Sequence, residues 1–194
     1  HGVFWYSFSY ANMHIVQLSS EHDYTVGSAQ YAWLDADLRG VDRRKFPWVV
    51  MTAHRPAYQS ENYSSDYQVA ENIAKNLDPL LLKHRVNLFL AGHYNSYERT
   101  CSITGGVCDE KKLAPVHMCV SAGAWLDKTG YLGKAWSLSR HQTYGFANVK
   151  VNGAKNLTVE FLGLSDASKL AVERGQHKTS PAFEVLDSVV ILGE

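Results

Sequence analysis

Apolar and polar positions change period several times along the chain, and each change marks an element. Val3 to Tyr10 is rich in aromatics and reads as a strand. Ala11-Asn12 makes a turn, and Met13 to Leu18 alternates as a second strand, so the two predict a hairpin. Ser28 is placed to cap a helix running to about Asp42, with Tyr31, Leu34, Leu38 and Val41 on one face. Pro47 breaks the chain. The continuous apolar run Trp48-Val49-Val50-Met51-Thr52-Ala53 then fits a strand buried on both faces. Val69, Ile73 and Leu77 mark the next helix. Asp78-Pro79 reads as a cap with a first-turn proline, restarting or kinking that helix before Leu80-Leu81-Leu82. Val86 to Ala91 is another buried strand.

The order strand, long loop, helix, strand from Trp48 to Ala91 is a crossover unit and implies an α/β sheet with helical cover. Further on, Val116 to Ser121, Tyr144 to Val151, Leu157 to Leu164 and Val185 to Leu192 read as strands joined by loops. No repeat or Pro- and Ser-rich linker divides the 194 residues, so one domain is expected. With 45% apolar and 12% aromatic residues there is ample material for a core. Lys plus Arg and Asp plus Glu both number 19, which argues against bulk attraction to nucleic acid or an anionic membrane. No apolar run approaches the roughly 18–20 residues of a membrane span. The chain enters strand-like sequence at His1-Gly2-Val3 without a Met or a signal peptide, so further sequence is expected upstream.

Cys101 and Cys108 bracket a short segment with a Gly-Gly hinge, and a local disulfide would close it at little geometric cost. Cys119 lies in an apolar run and reads as an inert buried thiol. Asn62-Tyr63-Ser64 and Asn156-Leu157-Thr158 are glycosylation sequons. Disulfide and sequons together favour a secreted or lumenal protein.

Both buried strands end on a histidine. One runs Val50-Met51-Thr52-Ala53-His54-Arg55-Pro56, the other Leu90-Ala91-Gly92-His93-Tyr94-Asn95. Ligands gather at the carboxyl ends of strands in open α/β sheets, so neighbouring strands would bring His54 and His93 together. Neutral imidazole suits Zn, Fe and Mn. From the residues alone two readings stand: a metal pair, or two strand-capping histidines bonded locally.

Val50 to Pro56 and Gly92-His93-Tyr94-Asn95-Ser96-Tyr97-Glu98-Arg99 resemble the fourth and fifth signature blocks of the purple acid phosphatases, which are calcineurin-like metallophosphoesterases. Ser19-Ser20-Glu21-His22-Asp23, Gly27 to Leu34, Ala114 to His117 and Tyr144 to Val149 resemble further family segments, in order. The resemblance implies a sandwich of two mixed sheets flanked by helices, with residues 1–194 as the C-terminal portion of one such domain. It implies a binuclear centre of Fe(III) with Zn, Fe or Mn, and hydrolysis of phosphomonoesters. Carried over, His54 and His93 would bind the divalent metal.

Two departures stand out. The family's first three blocks, Asp-x-Gly, Gly-Asp-x-x-Tyr and Gly-Asn-His, are absent from this chain. They would supply the carboxylates, and two neutral imidazoles cannot hold two highly charged cations without them, so this chain by itself is expected to be inactive. The missing N-terminal half of the domain is thus an implied partner. Secondly, the family's second histidine of the fifth block is replaced by Asn95, a neutral and poorer donor. This leaves two readings, a weakened phosphatase or a dead homologue kept as an extracellular structural or binding module. The loop Tyr58 to Tyr63 lacks the histidines that assist substrate in some relatives, and His22 is a candidate in their place. His117 is expected to be a satisfied core histidine. Glu98 and Arg99 are expected to pair beneath the metal loop.

Overall fold

The computed structural model describes residues 2–62, 67–121, 123, 125–127, 129–174 and 181–193. His1, and Tyr63 and Ser64 of the first sequon, lie outside the described residues. The first hairpin is β1 (Tyr6–Tyr10) and β2 (Met13–Gln17), turning at Ala11 with φ +52°. Helix α1 (Ala29–Gly40) starts where Ser28 accepts a bond from Tyr31 N–H at 3.1 Å. Then follow β3 (Trp48–Ala53), α2 (Tyr67–Lys83) and β4 (Leu88–Ala91). β3 and β4 are parallel neighbours, so the predicted crossover unit is present.

Four elements escaped the sequence reading. They are β5 (Tyr97–Thr104), the two-residue β6 (Val107–Cys108), β8 (Ser137–His141) and α3 (Asp166–Glu173). The remaining strands are β7 (Val116–Val120), β9 (Gly145–Asn152), β10 (Asn156–Leu164) and β11 (Phe183–Leu192). The larger sheet runs β1-β2-β3-β4-β7-β5-β6, with β8 also pairing with β5. Its centre, β2-β3-β4-β7, is parallel, and the flanks are antiparallel. The second sheet, β11-β10-β9, is antiparallel throughout, so only one of the two expected mixed sheets is mixed here. Short turns make antiparallel pairing the direct outcome for β9 and β10, which are joined at Gly153 with φ +57°.

β3 explains its own unbroken apolar run. Val49 and Met51 face Leu34, Leu38, Ile73 and Leu81 of the helices, while Trp48 and Val50 face Leu157 and Val159 of the second sheet. Successive side chains point to opposite faces, so both faces of this strand are dry. Burying each such side chain is worth roughly 1.5–3 kcal/mol. Polar ties fix the two sheets together. Trp48 Nε1 donates to the Gly153 carbonyl at 2.7 Å, and the Tyr97 ring stacks on Phe161 at 3.9 Å.

Three local expectations need correction. α2 continues through Pro79, and Asp78 is not a cap: its carboxylate accepts from the Tyr58 hydroxyl and from Gly105 N–H. Glu98 and Arg99 do not pair, because neighbours in a strand face opposite ways. Glu98 accepts from Ser60 and Ser137, whereas Arg99 grips Asp187 through two bonds at 2.6 and 3.0 Å. His117 is buried as expected, but neither ring nitrogen has a hydrogen-bond partner.

Candidate metal centre

The parallel register of β3 and β4 sets Ala53 opposite Ala91, and the two strands end side by side. Each chain then turns over the sheet edge. Gly92 N–H donates to the His54 carbonyl at 2.9 Å and ties the two loops. A Cβ at Gly92 would stand 3.3 Å from Ser121 Oγ, so glycine serves close approach at this point. The left-handed residue is His93 itself, with φ +73°. Tyr94 N–H closes back onto the Gly92 carbonyl at 2.9 Å, a tight three-residue turn with His93 at its apex. A second such turn, from Ser96 N–H to the Tyr94 carbonyl at 2.9 Å, carries Asn95.

The result is that His54 and His93 meet. His93 Nδ1 lies 3.1 Å from His54 Nε2, with the rings edge to face at a centroid distance of 5.0 Å. The other nitrogen of His93, Nε2, lies 3.1 Å from Arg55 Nη1. Guanidinium only donates, so Nε2 accepts and the neutral ring carries its proton on Nδ1, directed at His54. Arg55 is in turn held by Glu21, whose Oε1 accepts from Nε at 2.9 Å, and its backbone N–H donates to Ser20 Oγ at 3.0 Å.

Electrostatics keep His54 in the ligand form. Burial lowers its pKa first, and the neighbouring His93 lowers it further, outweighing Glu21. Burial pushes the Glu21 carboxyl up, but the bonds from Arg55 and Ser20 and the Arg55 charge hold it below the ordinary carboxylate value. Arg55 and Glu21 stood in motifs quoted above without a role. An Arg directly after a strand-ending His was the available signal.

The other candidates fall elsewhere. His22 Nδ1 shares a hydrogen bond with Ser19 Oγ at 2.8 Å, and its ring packs on Phe4 and Trp5 at 4.5 and 5.7 Å. Asn95 backbone N–H donates to Asp127 at 2.7 Å. In the amide orientation that gives both ends a partner, its oxygen accepts from Trp125 Nε1 at 2.7 Å and its nitrogen donates to the Ser121 carbonyl at 3.2 Å. In that orientation the oxygen's partner is an indole; in the other, Nδ2 donates to Asp127 Oδ1 at 3.4 Å. Among the described residues no group of three or more His, Cys, Asp or Glu comes together to hold a metal ion. Cys101 and Cys108 form a disulfide, and Cys119 is free and buried. Asn62 is exposed, and Asn156 is partly buried at the start of β10.

A metal fits the histidine pair as far as it goes. Two nitrogens on one tetrahedral ion at about 2.0–2.1 Å each would lie about 3.4 Å apart, close to the spacing between His54 and His93. Loading the ion there would remove the Nδ1 proton that Arg55 now favours.

No protein-family model matches the chain. Its sequence is 31% identical over 175 residues to "Probable inactive purple acid phosphatase 9" of Arabidopsis thaliana, covering 84% of this chain and 27% of that one. It is 33% identical over 156 residues to "Purple acid phosphatase 18" of the same plant, covering 76% and 34%. The solved purple acid phosphatase from yellow lupin (Lupinus luteus) seeds superposes with a TM-score of 0.82 at 27% identity, covering 97% of this chain and 32% of that one. The chain thus spans about a third or less of each of these three proteins.

Proposed function

This chain belongs to the purple acid phosphatase family, and from that premise we propose that it forms one part of a metallohydrolase site that cleaves phosphomonoesters. The observation that carries the reading is the 3.1 Å approach of His54 Nε2 and His93 Nδ1 at the ends of neighbouring parallel strands. His54 and His93 hold one metal of a binuclear centre, Fe with Zn, Fe or Mn. The carboxylate ligands come from the N-terminal half of the same domain, and the 194 residues alone are inactive. Such a metal pair, when bound, clamps phosphate oxygens and makes a water nucleophilic. The chain's own residues prepare the ground for it. Burial keeps His54 neutral, the turn at His93 aims its ring across the strand ends, and Arg55 sets a planar donor fork beside them, suited to a phosphate oxygen. The disulfide and the sequons at Asn62 and Asn156 support a secreted or lumenal protein carrying glycans.

A second reading rests on Asn95. In the orientation that gives both ends a partner its amide oxygen is bonded to Trp125, and one of the relatives above bears the word inactive in its name. On that reading the fold persists as an extracellular structural or binding module. Metal analysis and phosphatase assay of the full-length protein separate the two. The enzyme reading expects two metals per protein and hydrolysis at acidic pH, with His54→Ala lowering kcat at least about a hundredfold. One metal or none, without hydrolysis, establishes the module. Asn95→His should then raise metal content if the substitution is the cause.

A further inference from the structure

A cavity of about 400 Å³ opens between β11 and the segment that leads from β6 into β7, and neither His54 nor His93 lines it. Its size lies within the roughly 300–1,000 Å³ of small-molecule sites. Asn87, just before β4, and Val116, the first residue of β7, are in its wall. β3, β4 and β7 are parallel, and the two histidines follow the other ends of β3 and β4. The cavity therefore lies at the far end of the sheet from the metal centre. Part of its wall is apolar. Leu113, Leu138, Val189 and Ile191 line it, and none of the four is fully buried, so each keeps surface that a ligand can cover. Exposed apolar surface gathered round a cavity marks a binding site more readily than scattered single residues do.

The ligand's chemistry follows from the rest of the wall. Its neutral polar side chains are engaged within the protein. Ser102 Oγ donates to the Ala114 carbonyl at 2.5 Å, Thr100 Oγ1 donates to the Cys101 carbonyl at 2.6 Å, and Asn87 Oδ1 accepts from Arg43 and from Val49 N–H. The body of a ligand thus meets apolar surface rather than open hydrogen-bonding groups. Charge is not balanced in the same way. Asp109 is the one carboxylate in the wall, and it is fixed by the backbone N–H groups of Lys111, Leu113 and Ala114 at 3.0, 2.7 and 2.9 Å. Arg99 is neutralised by Asp187. The exposed Arg85, Lys111 and Lys112 still outnumber Asp109 three to one, so the cavity carries a positive surplus. Apolar walls with cations beside them suit an aliphatic chain that ends in an anion. We propose that this cavity binds a medium-chain fatty carboxylate, with its chain against Leu113, Leu138, Val189 and Ile191 and its carboxylate beside Lys111 and Lys112. The site stands independently of the metal centre and of phosphatase activity.

The test is calorimetric titration of the full-length protein with hexanoate, octanoate and decanoate, each below its micelle concentration. Decanoate should bind saturably, and each methylene along the series should tighten binding by roughly three- to fourfold until the chain fills the cavity. Octanol and octylamine should bind about tenfold or more weakly than octanoate, because they lose the charge-assisted contact. Lys111→Glu combined with Lys112→Glu, both at exposed positions, should weaken octanoate by about tenfold or more and leave the melting temperature unchanged. Leu138→Asp, at a position 55% exposed on β8, should weaken decanoate as well, and it keeps the test decisive if the double variant fails to fold. Absence of binding by all three carboxylates overturns the proposal. So does an affinity that ignores chain length, octylamine binding as tightly as octanoate, or carboxylate binding that ignores both variants.

Discussion

His117 lies in the core with its ring stacked on Phe89 at 5.0 Å and edge-on to Tyr58 at 4.8 Å, and both its nitrogens are unbonded. Burial drives its pKa down from 6.5 to about 3. The folded protein keeps the ring neutral, whereas the unfolded chain takes up a proton near the ordinary value. The resulting stability is complete above the unfolded pKa and drains away as pH falls from about 6.5 towards about 3, by at most roughly 5 kcal/mol. His117→Leu should therefore raise stability by about 1–2 kcal/mol at neutral pH and flatten the acid side of the stability profile. Urea unfolding of the full-length protein across that pH range measures both. His93 poses the opposite problem, a side chain held at φ +73°. Any Cβ is strained there, so His93→Gly should be more stable than His93→Ala by about 1 kcal/mol, read from the difference in urea midpoints.

At the level of elements, β11 is fastened to β5 by one carboxylate. Asp187 accepts from Tyr97 at 2.7 Å and from both arms of Arg99, and the Arg99 and Asp187 side chains are nearly buried. Burial pushes the Asp187 carboxyl up, but the Arg99 and Tyr97 bonds and the Arg99 charge bring it below its ordinary value. Its contribution is thus present above the unfolded carboxylate pKa and is lost as pH falls through the folded one. Asp187→Ala should cost about 3 kcal/mol, because it strands a buried guanidinium, and thermal unfolding should show it. The same strand shows why some elements were illegible. β5 is buried on both faces, with Tyr97 stacked on Phe161 of the second sheet and Glu98 and Thr100 also buried, so buried polar and apolar positions mix along it. Only Ser60 and Ser137, distant in sequence, make Glu98 tolerable there. A hydrophobic pattern cannot anticipate such a partner. The apolar strands β3, β4, β7 and β10 were legible because burial alone places them.

Over the whole molecule, apolar surface is unevenly spent. Tyr6, Phe8 and Tyr10 lie on one face of edge strand β1 and are exposed, while Ser7 and Ser9 turn the other way towards Asp37 and His14. On the edge strand β11, Val190 and Leu192 are exposed on the face opposite Val189 and Ile191. Open edges with apolar faces template further pairing. Residues 1–194 expressed alone should therefore self-associate and bind a hydrophobic dye. Light scattering should show the mass falling when Phe8→Lys and Val190→Lys are combined, and a monodisperse monomer without them would contradict this.

The sequence by itself determined the α/β class, the crossover unit, the helix start at Ser28, the cysteine pair and the two strand-ending histidines. These are local facts, since period, capping and turn chemistry act over a few residues. Only the tertiary structure decided that the rings of His54 and His93 stand 3.1 Å apart, that Arg55 and Glu21 belong beside them, and that the Asn95 amide meets Trp125. Each of those depends on contacts between segments far apart in the chain, where side-chain direction and hydrogen-bond geometry, not residue type, select the partner.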